Sequence, residues 1–288
     1  MNQFRSVRMQ ELSWAQIEPL ANDATVVILP TGAIEQHGRH LPLEVDARAA
    51  EEIAVRAARD LLGSLPVLVA PTLSYGVSGY HMAFPGTLTL SISTFTAMVE
   101  EVTTSLVHHG FRRILILNGH GGNHDPVKIA ARNVADQTGV AVAAASYWNI
   151  AADELARFED SEIHTVPGHA CGFETSCMLA LKPDLVDDEE LRYTSEVQTD
   201  APGGSGRPGF FTKRLTTREP KVQLPPQAGI KRDFGNVGDP GFASREKGEK
   251  YLGVINEKLV EFLRIFAGRA PESVTGAFLH ERVNRASR

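Results

Sequence analysis

Through its first half the chain alternates short, almost wholly apolar runs with longer stretches of helical periodicity. Val26 to Pro30, Leu65 to Pro71, Arg113 to Asn118 and Val140 to Tyr147 are too short for helices and read as buried strands. The run at 113–118, RILILN, has the apolar density of a parallel strand covered on both faces. Between the strands, Ala47 to Leu62 sets Ala50, Ile53, Ala54, Ala57, Ala58 and Leu61 on one face and stops at Gly63. A second helix, capped by Ser93 or Thr94, turns Phe95, Met98, Val99, Val102 and Leu106 inward and ends at Gly110. A third runs from about His124 to Thr138, closed by Gly139. This alternation predicts an α/β fold: a mostly parallel β-sheet with right-handed crossovers, flanked by helices on both faces.

The second half is less regular. ACGFETSCMLAL at 170–181 is helical in composition and stops at Lys182-Pro183. From about 185 to 242 the chain is rich in glycine, proline and charge, which predicts a surface excursion or subunit-contact arm with little regular structure. Ser244 to Phe266 is a strong amphipathic helix, with Tyr251, Ile255, Leu259, Phe262 and Leu263 inward. No linker divides the chain, so one domain is expected over 1–268, followed by a polar tail over 269–288.

Composition narrows the function. A hydrophobic fraction of 42% and a net charge of -6 describe an ordinary globular protein without a basic surface for nucleic acid. No apolar run approaches the roughly 20 residues of a membrane-spanning helix, and the N-terminal stretch has no signal-peptide core. Cys171 and Cys177 are the only cysteines. At that spacing on one helix they face opposite ways, so no disulfide and a cytoplasmic setting are expected.

Three segments carry candidate chemistry. LPTGAIEQHGRHLPLEVD, ending at Asp46, delivers Glu35, His37, His40, Glu44 and Asp46 where a strand gives way to a helix. Open α/β sheets bind their ligands at such strand ends. Glu35 and His37 are two apart, so an extended backbone turns them to one side. Asp46 is placed either to cap the helix or to bridge two metal ions, while His40 and Glu44 read as solvated loop residues. NGHGGNH at 118–124 puts His120 at the end of the central strand, beside glycines that permit close approach to a ligand. Its spacing matches neither a phosphate loop nor a dinucleotide fingerprint. GHACGFETS adds His169 and Glu174. A carboxylate early in an apolar helix is paired, metal-bound, or set against the helix dipole. Mixed imidazole and carboxylate donors suit zinc, manganese or iron over calcium or magnesium.

These motifs, with FPGT at 84–87 and GDPGFASREKGEKYL at 238–252, resemble the creatininase family, whose members are metal-dependent hydrolases of small cyclic or formyl amides. The resemblance runs from about Thr25 to Phe266. It implies a creatininase-like α/β fold, a dinuclear centre at the C-terminal strand ends, and a homo-oligomer, often a hexamer. Carried over by position, Glu35, Asp46 and His120 bind one ion, and His37 with bridging Asp46 the second. Family members acting on creatinine have a glutamate ligand where this chain has Gly122, which leaves Glu174 to complete the second set. They also close the pocket with a tryptophan ahead of the position of His169. Here 162–168 contains none, and Trp148 is the only one nearby, which points away from creatinine. Other branches resemble the chain too: a formamide hydrolase of archaeal flavin biosynthesis and a peptidase that matures a peptide-derived redox cofactor.

The expectation is therefore a hydrolase of a small cyclic amide, formamide or related C–N bond, with two divalent ions (zinc, manganese or iron) and a small-molecule substrate. His169 is the expected proton shuttle, with Glu174 as catalytic residue or ligand. His81, Asn118, Gly121, Gly122 and Asn123 are expected to line the substrate pocket. A lactone or ester hydrolase would use the same site. A non-catalytic binding module would instead use the glycine-rich turn as an anion cradle.

Overall fold

Each of the four apolar runs becomes a strand. The strands of the first three are wholly buried in a sheet covered on two sides, whereas the run at 140–147, expected to be buried, is only half-buried over 141–145, at the sheet edge. The computed structural model describes residues 5–158, 168–198 and 234–270. Strands β1 (Val26–Thr31), β2 (Val67–Val69), β3 (Arg113–Asn118) and β4 (Ala141–Ser146) lie in the order β2-β1-β3-β4, all parallel. β1 and β3 pair from Val26 opposite Arg113 to Thr31 opposite Asn118, so their C-terminal ends share one edge.

Alternate residues of β1 and β3 feed two cores. Val26, Ile28, Leu115 and Leu117 pack with helices α1 (Val45–Asp60), α4 (Gly172–Leu181) and α6 (Arg245–Ala267). Val27, Leu29, Ile114 and Ile116 pack with α2 (Ile92–His108) and α3 (His124–Thr138) on the other face. α4 and α6 meet closely, since a Cβ on Gly248 would lie 1.9 Å from the Ser176 carbonyl oxygen. Cys171 and Cys177 are both buried, with no disulfide between them. Trp148 also belongs to the first core, edge-on to Tyr147 at 5.0 Å.

Three readings change. α1 begins at Val45, one turn-position before Asp46, so Asp46 lies inside the first turn and is not the cap. α2 begins at Ile92, with Ser91 accepting from the Thr94 N–H at 3.1 Å. The stretch from 185 is not devoid of structure: α5 spans Asp188–Gln198, its first turn capped by Asp187 Oδ1 at 3.0 Å from both the Glu189 and Glu190 N–H. The remainder of the excursion over 199–233, and the tail beyond Ala270, lie outside the described residues. Among the described residues no helix is long and apolar enough to cross a membrane.

Candidate metal centre

Two glycines set the geometry at the shared strand edge. A Cβ on Gly32, just past β1, would lie 2.3 Å from Ala47 N; one on Gly119, just past β3, would lie 2.2 Å from Asp46 O. Both positions must lack a side chain for the N-terminus of α1 to drop between the two strand ends. Asp46 is thereby brought between the loop after β1 and the turn after β3.

Asp46 faces a histidine with each oxygen. Oδ1 lies 3.1 Å from His37 Nε2, and Oδ2 lies 2.7 Å from His120 Nδ1. The opposite ring nitrogens are engaged by backbone: His37 Nδ1 is 3.1 Å from Glu35 O, and His120 Nε2 is 3.0 Å from Val77 O. In the neutral imidazoles those nitrogens carry the proton, which leaves the inward nitrogens as lone-pair donors, an arrangement typical of metal-ligating histidines. Glu35 Oε1 approaches His120 Nδ1 at 3.4 Å from one side, and Glu174 Oε2 approaches His37 Nε2 at 3.8 Å from the other. Donor atoms of Glu35, Asp46 and His120 all lie within 4.8 Å of one another, as do those of His37, Asp46 and Glu174, and those of Glu35, His37 and His169. The first two sets share Asp46.

Electrostatics explain why such a cluster suits a cation. Burial disfavours charge on each group, but in the metal-free protein the histidines and carboxylates compensate one another. Burial lowers the His37 pKa, yet Asp46 and then Glu174 and Glu35 outweigh it and raise it to about 10. His120 is likewise raised, against burial, by Glu35 and Asp46. Asp46 is driven well below the carboxylate range by His37 and His120 despite its burial. Glu174 goes the other way: burial, aided by Asp46, pushes it up to about 7. Glu35 Oε2 is buried with no hydrogen-bond partner. Once the histidine protons are lost, the converging imidazole nitrogens and carboxylate oxygens fit a divalent cation.

α4 supplies Glu174 through a strained turn. Ala170 adopts φ +50, uncommon for a residue with a side chain, and its N–H donates to Glu174 Oε2 at 2.6 Å. His169 is held beside it by paired backbone bonds to Val237, 2.9 and 2.7 Å. Its side chain is 15% exposed and that of Glu174 10%, against 4% or less for Glu35, His37, Asp46 and His120, so solvent meets the cluster at His169 and Glu174.

Of the residues expected to line a substrate pocket, His81 joins the cluster, buried with Nε2 3.6 Å from Glu35 Oε1. Asn118 and Asn123 lie beneath it. Asn118 ties Thr31, Ser146 and the His120 backbone together, and Asn123 stitches Gly32 O to Val77 N. Gly121 faces open space. A Cβ on Gly122 would lie 2.1 Å from Val77 O, so this backbone has no room for a side chain there. His40 corrects the solvated reading, whereas Glu44 stays at the surface, its side chain 32% exposed. His40 is buried with Nε2 2.9 Å from Thr175 Oγ1, because α4 covers it, and Glu44 pairs with Arg48 at 2.9 Å.

Sequence reasoning missed two neighbours. Tyr80 brings its hydroxyl 3.3 Å from His120 Nε2, and burial raises its pKa to about 12, so it stays a neutral hydroxyl. Gln36 lies between Glu35 and His37 in the chain and touches both His81 and His169. Neither is a common metal-ligand type; their only signal was position, adjacent to His81 and within EQH.

Comparison with known proteins shows the family. The sequence profile of the family described as creatinine amidohydrolase matches residues 10–263. The chain is 30% identical over 275 residues to a creatinine amidohydrolase of Pseudomonas putida, covering 90% of this chain and 97% of that one. It is also 30% identical over 240 residues to a mycofactocin precursor peptide peptidase of Mycolicibacterium smegmatis, covering 78% of each. The crystal structure of a creatinine amidohydrolase superposes with a TM-score of 0.71 at 30% identity, over 93% of this chain and 100% of that one. Creatininase structures described as Zn-Zn type and as Mn superpose with TM-scores of 0.70. With the profile spanning both the parallel sheet and the histidine–carboxylate cluster at its edge, the chain belongs to the creatininase family.

Proposed function

We propose that this chain is a metal-dependent hydrolase of a small C–N bond: a cyclic amide, a formamide or the amide of a short peptide. The observation that carries the reading is the pair of donor sets sharing Asp46. Glu35, Asp46 and His120 would hold one divalent ion, and His37, Asp46 and Glu174 a second. Zinc, manganese or iron suits these donors. When bound, ions of this kind lower the pKa of water toward neutrality and polarise a carbonyl.

The remaining chemistry belongs to the chain's own groups. His169 presents Nδ1 toward the centre, 3.6 Å from Glu35 Oε1, and at 15% is the most exposed of the cluster, so it can carry a proton to the leaving nitrogen. Burial and His37 hold its pKa well below the ordinary value, so it starts neutral and can accept the proton it later delivers. His81, buried with its ring 4.2 Å from that of His169, stands on the same side of the centre and can hydrogen-bond a substrate carbonyl there.

The test is a substrate panel of lactams, formamides, short peptides and lactones, run with the metal-loaded and the chelator-treated protein. Turnover of at least one nitrogen-containing member, abolished by chelation and restored by metal, is expected. Turnover confined to lactones would favour an ester hydrolase on the same site. No turnover by the metal-loaded protein, with one or two ions bound, would overturn the hydrolase reading.

Loading is expected to release protons. His37 and His120 bind a proton in the metal-free protein and must lose it to act as donors, as must Glu174 at about 7. Apparent metal affinity should therefore rise with pH through the neutral range and on toward about 10. Calorimetric titration in buffers of different ionisation enthalpy reads this directly, and loading without proton release would contradict the ligand assignment.

A further inference from the structure

Gln36 is 4% exposed and sits where three distant parts of the chain meet: the loop after β1, the turn at 78–81 and the segment returning at 234–238. Its amide orientation follows from its neighbours. Oε1 accepts from the Gly38 N–H at 2.9 Å, and Nε2 lies 2.8 Å from Gly235 O, a carbonyl that only accepts. One amide proton is thereby assigned. Two imidazole nitrogens compete for the other, His81 Nδ1 and His169 Nε2, each 2.9 Å away.

The backbone decides between them. His169 Nε2 is also 2.5 Å from the Gln36 carbonyl oxygen, and a contact that short requires a proton on the imidazole. A nitrogen already donating to that carbonyl does not accept from the amide. The second amide proton therefore goes to His81 Nδ1, which puts the His81 proton on Nε2. In neutral imidazoles one nitrogen donates and the other accepts, so the hydrogen-bond network assigns both tautomers. His81 turns an N–H, and His169 a lone pair, toward the same oxygen, Glu35 Oε1, each at 3.6 Å. The rings stack at 4.2 Å with an interplanar angle of 23°.

We infer that Gln36 is a positioning residue that holds these stacked histidines so that one offers a proton and the other a lone pair to the same side of the centre. The inference rests on the hydrolase reading for its catalytic meaning: His169 takes up and delivers the proton while His81 donates a hydrogen bond to the substrate carbonyl or to Glu35. The returning segment is part of the device. Gly235 has φ +75, and a Cβ there would lie 2.1 Å from Gln36 Oε1, so the clamp closes only with glycine at 235.

Histidine labelled with nitrogen-15 in the zinc-loaded protein, read by long-range proton–nitrogen correlation above the ordinary imidazole pKa, tests this, with His81→Gln and His169→Gln variants assigning the signals. Both His81 and His169 should be Nε2–H tautomers. Gln36→Met, which keeps length but removes the amide, should spread His81 over both tautomers and leave His169 unchanged. Gln36→Glu, which puts an acceptor opposite His81 Nδ1, should draw the proton there. Gly235→Ala should displace the amide and mimic Gln36→Met, which covers the case in which that variant folds poorly. On any substrate turned over, Gln36→Met should lower kcat by ~10-fold, the low end of a placed acid/base contribution, with KM and zinc content little changed. A His81 signal of the Nδ1–H type in the unaltered protein, or one unmoved by all three substitutions, overturns the inference. The tautomer readout needs no turnover, so failure of the hydrolase reading leaves it distinguishable.

Discussion

Asp46→Ala is expected to lose both metal ions together and to lower kcat/KM by more than about 10³-fold, beyond the loss from a single missing electrostatic donor. The reason is the shared carboxylate: Oδ1 faces His37 in one donor set and Oδ2 faces His120 in the other. Removing Glu35 or Glu174 would cost one set, whereas removing Asp46 empties both. A pH signature accompanies the loss. In the metal-free protein the His37 pKa is raised, against burial and chiefly by Asp46, from 6.5 to about 10. That pairing therefore adds stability fully present below 6.5 and lost as pH rises through about 10. Thermal melts of metal-free Asp46→Ala should lack this alkaline decline. Elemental analysis beside kinetics decides the main point: an Asp46→Ala protein that holds no metal yet keeps its turnover would sink the metal-hydrolase reading. One that keeps a full complement of ions would remove Asp46 from the bridge.

The ligand cluster was legible because it combines rare residue types with strand ends. RILILN and VVILP declare themselves as buried strands, and whatever follows them sits at one edge of a parallel sheet. Asp46 was ambiguous between cap and ligand because the helix start was uncertain by two residues. Beginning α1 at Val45 removes the capping role. His40 was misread for a different reason: nothing near it in the chain shows that α4 will lay Thr175 over it. α5 escaped because its stripe is weak; its polar first turn and the capping Asp187 were stronger signals than its apolar periodicity. Asn118 and Asn123 look like substrate ligands in NGHGGN, yet Asn118 is spent on the His120 backbone and neighbouring strand ends, and Asn123 on the distant Gly32 O and Val77 N. Gln36 was invisible because the residues its amide nitrogen reaches lie 45, 133 and 199 positions away.

His169→Ala should separate binding from chemistry. It is expected to retain the metal content of the unaltered protein while losing ~10²- to 10⁴-fold in kcat, the range of a well-placed general acid/base. His169 stands outside both donor sets that share Asp46, and it groups only with Glu35 and His37. Its Nε2 is committed to the Gln36 carbonyl, so Nδ1 alone faces the centre. Because its side chain is the most exposed of the cluster at 15%, truncation opens a space continuous with solvent. Imidazole added to the His169→Ala protein should enter that space and restore part of the turnover, with a saturable dependence on its concentration. Retained turnover without imidazole would exclude His169 as proton shuttle. Loss of metal alongside turnover would instead make it a ligand to the ion near Glu35 and His37.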